Sequence, residues 1–137
     1  MSTNSSIAIK IGDKVTSIYC HWDGYLEHNG DILLRRYNSE ILAKGLVQLG
    51  NISSLGETIA ETRYYDRDME RENEKATELD FRDYIEKVVI QEYNYIYDVA
   101  KGEWFVCEVD YDELTDSWER SAFKRLRYEL ERVKKED

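Results

Sequence analysis

The stretch of sequence that decides the fold is Ile7-Ala8-Ile9-Lys10-Ile11-Gly12-Asp13-Lys14-Val15-Thr16-Ser17-Ile18-Tyr19-Cys20-His21-Trp22. Two β-rich runs separated by a Gly-Asp pair are typical of a β-hairpin closed by a tight primed turn, because glycine adopts positive φ without strain. Side chains alternate along a strand, so we expect Cys20 and Trp22 to share one face and Tyr19 and His21 to share the other. Trp22 is therefore predicted to be largely buried, and residues 19–25 to be mainly architectural.

A second hairpin is predicted toward the other end of the chain. Residues 93–97 and 103–109 are rich in aromatic and β-branched side chains, and they flank a turn near Ala100-Lys101-Gly102. Tyr93, Tyr95 and Tyr97 share one strand face at a period of two. That face is interpreted either as a half-buried sheet surface covered by a helix or as an exposed aromatic platform for a partner or a planar ligand.

Helices are predicted between and after the hairpins. Asn29, Ser39 and Asp80 are suitable N-caps for three helices, the last of which covers residues 81–91. A long final helix is predicted from about residue 113 to 135, because apolar residues recur there at spacings of three and four. That apolar stripe comprises Leu114, Trp118, Ala122, Leu126, Leu130 and Val133.

The element order ββαα(loop)αββα predicts an α+β fold. We expect an antiparallel sheet built from two hairpins, with helices packed mainly on one face. The chain has no proline, and neither a Gly/Ser-rich linker nor an internal repeat divides it. Residues 1–137 are therefore predicted to form a single domain, with a charged loop or excursion at about 61–78.

The net charge of −10 and the pI near 4.7 restrict the classes of partner. Such a surface repels phosphate backbones, so direct nucleic-acid binding is not expected. The acidic surface provides solubility in one interpretation and meets a basic protein surface in the other. No apolar run is long enough for a membrane span, and the first residues lack the pattern of a signal peptide. We expect a cytoplasmic protein in which Cys20 and Cys107 are reduced, buried thiols.

The segment from residue 61 to 75 has ten charged residues in fifteen. Such a composition is typical of a solvated loop. The alternative is a recognition loop, in which adjacent tyrosines anchor a partner and carboxylates meet a basic groove. The residues predicted to bind a partner are Tyr64, Tyr65, Asp66, Asp68, Glu70 and Glu72.

Chemistry-bearing motifs are scarce. His21, Asp23 and His28 could supply three metal ligands, but their spacing matches no zinc-site family. Cys20 and His21 are strand neighbours that point to opposite faces, so they do not form a catalytic dyad. No nucleophile elbow or glycine-rich phosphate loop is present. The sequence therefore predicts a protein that is not an enzyme and has no cofactor.

The cationic side chains of the predicted final helix allow two interpretations. Arg120, Lys124 and Arg127 would share one helix face. They would pair with the protein's surplus carboxylates, or they would bind the anionic group of a small ligand.

The chain resembles a family of small uncharacterised proteins from phages and prophages, over about its first 57 residues. The residues that carry the likeness are Ile18-Tyr19-Cys20-His21-Trp22-Asp23-Gly24-Tyr25, Gly30, Leu33-Leu34, Tyr37, Leu46, Leu49-Gly50 and Ser53-Ser54-Leu55-Gly56-Glu57. A weaker likeness returns in residues 92–97 and 102–106. The resemblance implies a phage context, in which small acidic proteins without enzyme motifs are similar in style to inhibitors of host defence, including anti-CRISPR proteins.

Three functional hypotheses follow. The leading one is a non-enzymatic inhibitor that binds a host defence protein, specifically an anti-CRISPR-type protein that blocks a CRISPR nuclease with its acidic surface. The second is a small-ligand binder, such as a sponge for a nucleotide defence signal. The third is a metal-dependent enzyme that uses His21, Asp23 and His28. The oligomeric state stays open, with a homodimer among the alternatives.

Overall fold

The computed structural model describes residues 2–136. The strands are β1 (Ser5–Ile11), β2 (Lys14–Cys20), β3 (Ile52–Ser54), β4 (Arg63–Tyr64), β5 (Thr77–Asp80), β6 (Tyr93–Asp98), β7 (Glu103–Asp112), β8 (Ser117–Arg120) and β9 (Lys124–Arg125). The helices are α1 (Asp31–Arg36), α2 (Glu40–Val47), α3 (Tyr65–Met69), α4 (Phe81–Lys87) and α5 (Leu126–Glu136). A π-helical turn at Leu26–Gly30 leads directly into α1.

The two predicted hairpins are confirmed. β1 and β2 pair antiparallel from Ser5↔Cys20 to Ile11↔Lys14, and β6 and β7 pair antiparallel in the same manner. Gly12 begins the first turn with φ of +61°, as in a primed turn that matches the twist of the flanking strands. Local sequence therefore determines the pairing within each hairpin.

The sheet as a whole is mixed. Its strand order is β4-β3-β2-β1-β6-β7-β8, with β5 also paired to β2 and β9 also paired to β7. The predicted α+β class is confirmed, but the prediction of an antiparallel sheet is wrong because β1 pairs parallel with β6 and β2 pairs parallel with β3. The sequence pattern of each hairpin specifies the pairing within it. The parallel pairing of one hairpin with the other depends on the long connection between them, which contains both helices and short strands.

Side-chain alternation along β1 separates two cores. Ile7 and Ile9 belong to a large cluster beneath α1, α2 and α5. Ala8 belongs to a smaller cluster beneath α4, in which Tyr84 is fully buried. Three helices therefore cover one face of the sheet, and one helix covers the other.

The predicted helix caps have mixed outcomes. Ser39 accepts a hydrogen bond from the Leu42 amide, and Asp80 accepts one from the Asp83 amide, so both caps are confirmed. Asn29 is not a cap. It is buried, and its amide donates to Ser5 Oγ and Cys20 Sγ, both at 3.3 Å.

The predicted helix over residues 113–135 is wrong in its first half. β7 continues to Asp112, and a loop in which Asp116 adopts φ of +51° returns the chain into β8. The helix α5 begins only at Leu126, where Leu126 and Leu130 enter the core. Apolar and charged side chains alternate in residues 109–111, as in a strand. The apolar spacing of this region also fits a helix, but the chain forms strands here.

Gly24 is required by a close approach of two chain segments. A Cβ atom there would lie 2.8 Å from both the Thr3 carbonyl oxygen and the Ser5 Cβ. The Gly24 amide donates to that Thr3 carbonyl, and the Gly24 carbonyl accepts from the Tyr95 hydroxyl at 2.6 Å. The turn after the first hairpin is thereby fixed both to the segment that leads into β1 and to β6.

Among residues 2–136, no helix combines the length and apolar character needed to cross a bilayer.

The prediction that Trp22 is largely buried is wrong, because 44% of its surface is exposed. Cys20 is the last residue of β2, and beyond it Asp23 turns the chain with φ of +57°. The Trp22 ring packs edge-on against His21 instead of entering the core.

Trp104 is a buried tryptophan with which the exposed Trp22 can be compared. It is 1% exposed, and its indole donates to the Tyr37 carbonyl at 3.0 Å. Trp104→Ala is expected to lower the free energy of unfolding by about 3–5 kcal/mol, and Trp22→Ala by no more than about 1–2 kcal/mol. Urea unfolding of both variants measures the difference, and equal losses would contradict the burial described here.

Candidate functional site

Two strongly exposed apolar side chains, Leu114 and Trp118, lie on one hairpin, which comprises residues 109–120 and is called the acidic hairpin below. Beyond residue 108, β7 continues in register with β8 alone. All four residues of β8 are exposed, and β8 is an edge of the sheet. The acidic hairpin therefore extends from the end of the sheet as a two-stranded ribbon.

Register gives the ribbon two chemically different faces. Tyr111 lies opposite Trp118, and Asp110 lies opposite Glu119. The Tyr111 and Trp118 rings meet edge to face with their centroids 5.2 Å apart, a favoured geometry for aromatic pairs. Because neighbours on a strand point to opposite faces, the aromatic pair occupies one face and the carboxylates the other.

The aromatic face is not used by the core. Trp118 is 71% exposed, and Leu114, in the loop between the strands, is 97% exposed. Beside Trp118 lies a depression of about 310 Å³, whose wall includes exposed Ile90 after α4. Large apolar side chains grouped in this way on a surface are typical of a site for a protein partner.

The opposite face is a cleft lined by carboxylates. The cleft has a volume of about 400 Å³, and its charged lining residues are Glu92, Glu108, Asp110, Glu119 and Arg120. One guanidinium among four carboxylates leaves it strongly negative. Burial raises the pKa of Glu108, and the negative charge of Glu129 raises it further. Such a cleft attracts lysine and arginine side chains.

The sequence placed the site elsewhere, in residues 61–75. Residues 66–73 of that segment are exposed, as expected for a solvated loop, but Tyr64 and Tyr65 are buried. Tyr64 is fully buried in the main core and donates its hydroxyl proton to the Leu46 carbonyl. Tyr65 is buried as well, with the Arg71 guanidinium 4.3 Å above its ring. The two tyrosines hold the segment to the domain, so their rings are not exposed anchors for a partner.

The four predicted carboxylates of this segment differ in their environment. Asp68 accepts a hydrogen bond from the Tyr64 amide and pairs with Arg67, and these contacts lower its pKa. It stabilises the turn into α3. Asp66, Glu70 and Glu72 are exposed, and their role in partner binding stays a prediction.

The candidate metal ligands are not brought together. Among residues 2–136, no group of three His, Cys, Asp or Glu side chains is close enough to hold a metal ion. His21 shares a hydrogen bond with the Tyr19 hydroxyl, and His28 with the Asn29 side chain. These contacts attach both imidazoles to the turn after the first hairpin.

The environment of Cys20 does not suit a catalytic nucleophile. Both cysteines are buried and unpaired, as predicted. Burial raises the pKa of the Cys20 thiol to about 11, despite hydrogen bonds that lower it. A thiol with this pKa is protonated near neutral pH, and a protonated thiol is a poor nucleophile.

The cations expected on one helix face lie on three different elements. Arg120 is in β8, Lys124 in β9 and Arg127 in α5. Lys124 pairs with Glu129 at 3.5 Å, and Arg127 with Glu103 at 3.4 Å. These two pair with surplus carboxylates, as one interpretation held.

The tyrosine stripe of β6 is a covered face. Tyr95 and Tyr97 belong to the main core, and Tyr93 is half-buried against it. The prediction that the three tyrosines share one strand face covered by a helix is confirmed, and the alternative of an exposed aromatic platform is wrong. The exposed aromatic pair is instead Tyr111 and Trp118. The sequence around Tyr111 alternates as a strand does, but Trp118 was predicted to lie in the final helix.

Comparison with protein-family models, with curated proteins and with solved structures found no match to this chain.

The environment of Glu108 generates a pH prediction. Its raised pKa means that the folded state favours the protonated carboxyl, so ionisation of Glu108 costs stability above that pKa. Glu108→Gln is expected to raise the melting temperature at pH 7.5. The gain should shrink as pH falls through the raised pKa and vanish below the ordinary pKa of glutamate. Melting curves of both proteins between pH 3.5 and 8 measure it, and a gain that grows toward acid pH would contradict the assignment.

Proposed function

We propose that this protein is a non-enzymatic inhibitor that binds a basic surface of a partner protein through the acidic hairpin. The observation that carries the proposal is the pair of exposed apolar anchors, Leu114 and Trp118, on a ribbon dense in carboxylates. Nothing in the packing of either core requires these side chains to be apolar.

The charge of the hairpin selects the kind of partner. Between residues 108 and 120 the chain has six carboxylates and one cationic side chain. Together with the net charge of −10, this distribution disfavours phosphate backbones and favours surfaces rich in lysine and arginine. A groove that binds nucleic acid has that character, and a protein occupying it would exclude the nucleic acid.

The backbone of the hairpin offers a second means of attachment. β8 is an exposed edge strand, whose outward amides and carbonyls are able to pair with a strand of a partner. Tryptophan and leucine side chains beside that edge would provide anchoring contacts in pockets of the partner.

The identity of the partner follows from the resemblance to phage and prophage proteins. In that context the proposed target is a host defence protein, and a CRISPR nuclease is the specific candidate. The direct test is cleavage of target DNA by purified host CRISPR nucleases, with and without this protein. Inhibition of one nuclease, with a stable complex on gel filtration, supports the proposal. Full cleavage by every effector of the host would contradict the choice of target.

Substitution of the two anchors tests the site. Leu114→Ser/Trp118→Ser is expected to melt at the temperature of the parent protein, because both side chains are exposed. It should lose inhibition, since central apolar anchors contribute most of the binding energy of an interface. The matched control is Ile41→Ser on α2, where the side chain is 83% exposed.

A carboxylate variant outside the hairpin separates the two candidate sites. Asp66→Asn/Glu70→Gln/Glu72→Gln removes three exposed charges of the 61–75 segment. We expect it to inhibit like the parent apart from a modest loss of long-range attraction. If this variant abolishes inhibition and the Leu114/Trp118 variant retains it, the site lies in the charged segment.

Ionic strength provides a further prediction. Attraction between exposed charges is screened over about 8–10 Å at ordinary ionic strength. Complex formation should therefore slow as salt rises, while the dissociation rate changes little. Surface plasmon resonance over a salt series measures both rates. An association rate independent of salt would show that the carboxylates of the hairpin do not steer the encounter.

A further inference from the structure

The chain's phenylalanines meet in one cavity, on the face of the sheet covered by α4. The cavity has a volume of about 330 Å³, and all three phenylalanines of the chain line it. Phe81 begins α4, Phe105 lies in β7, and Phe123 lies just before β9. Ile96 of β6 completes the apolar wall.

The walls of this cavity are held in place by the fold. Phe105 lies in register with Ile96 of β6 on one side and with Arg125 of β9 on the other. Phe81 stacks on the buried Tyr84 ring, with 6.2 Å between the ring centroids. Preformed apolar cavities of this size, with a few polar groups at the edge, are typical sites for small ligands.

Two lysines converge on the cavity in an otherwise acidic protein. Lys10 Nζ lies 5.3 Å from the Phe81 ring centroid, and Lys101 Nζ lies 5.1 Å from that of Phe105. Within residues 2–136 neither ammonium group forms an ion pair with a carboxylate. The acidic side chain in the lining, Asp98, accepts a hydrogen bond from the Lys101 backbone amide.

We infer that this cavity binds a small planar aromatic anion, a ring that carries a phosphate or a carboxylate. The ring would contact the phenylalanine walls, and the anionic group would be held by the Lys10 and Lys101 ammonium groups. The site involves neither the acidic hairpin nor the residues 61–75. A ligand with at least one negative charge is needed, since an apolar ring alone leaves the two lysines without a partner.

Four probes test the inference with the full chain in calorimetric titrations. They are 5′-AMP and 1-naphthoate, which carry both ring and anion, adenosine, which carries the ring alone, and inorganic phosphate. We expect one or both aromatic anions to bind and to raise the melting temperature with increasing concentration. The tighter of the two identifies the preferred combination of ring and anionic group. Adenosine and phosphate should bind at least about tenfold more weakly.

Lysine variants locate the site. Lys10→Gln/Lys101→Gln should weaken binding of the aromatic anion by about tenfold or more, without lowering the melting temperature of the unbound protein. Lys44→Gln on α2 is the matched control, and the Leu114→Ser/Trp118→Ser protein should bind the ligand unchanged. The inference is overturned if neither aromatic anion binds at millimolar concentration, if adenosine binds as tightly as 5′-AMP, or if the double lysine variant keeps full affinity.

Discussion

The structure depends on the placement of β1, which is paired on both edges and covered on both faces. Its residues Ile7, Ala8 and Ile9 are almost completely buried, with β2 antiparallel on one side and β6 parallel on the other. A strand in this position has every backbone group paired and both side-chain faces removed from water. A one-residue shift of register would move Ile7 and Ile9 from the face of the main core to the face of the smaller one.

This arrangement explains where the chain's aromatic residues lie. Most tyrosines pack in or against the two cores. Some of their hydroxyls donate to a main-chain carbonyl, as Tyr95 does to Gly24 and Tyr64 to Leu46. The surplus carboxylates are excluded from both cores and accumulate outside. What distinguishes the acidic hairpin is the combination of that charge with apolar side chains, Leu114 and Trp118, that no core absorbs.

Local patterns predicted local structure well. Strand-like runs that flank a turn predicted both hairpins, and the Ser39 and Asp80 caps are where helix start signals placed them. The parallel pairing of β1 with β6 was not predictable, because it depends on how a long connection of helices and short strands packs. The candidate site was missed for two reasons. The many charged residues around Tyr64 indicated an exposed segment, although Tyr64 is buried. The apolar spacing around Trp118 indicated a helix, although Trp118 lies in a strand.

The central claim is that the acidic hairpin, and not the charged segment before β5, meets the partner. Amide hydrogen exchange of the chain alone and in complex with the partner protein that it is proposed to bind tests it most directly, because it reports each segment separately. Slowed exchange in residues 108–121, with residues 61–75 unchanged, is the result predicted here. Slowed exchange in residues 61–75, with the hairpin exchanging as in the free protein, would contradict the account.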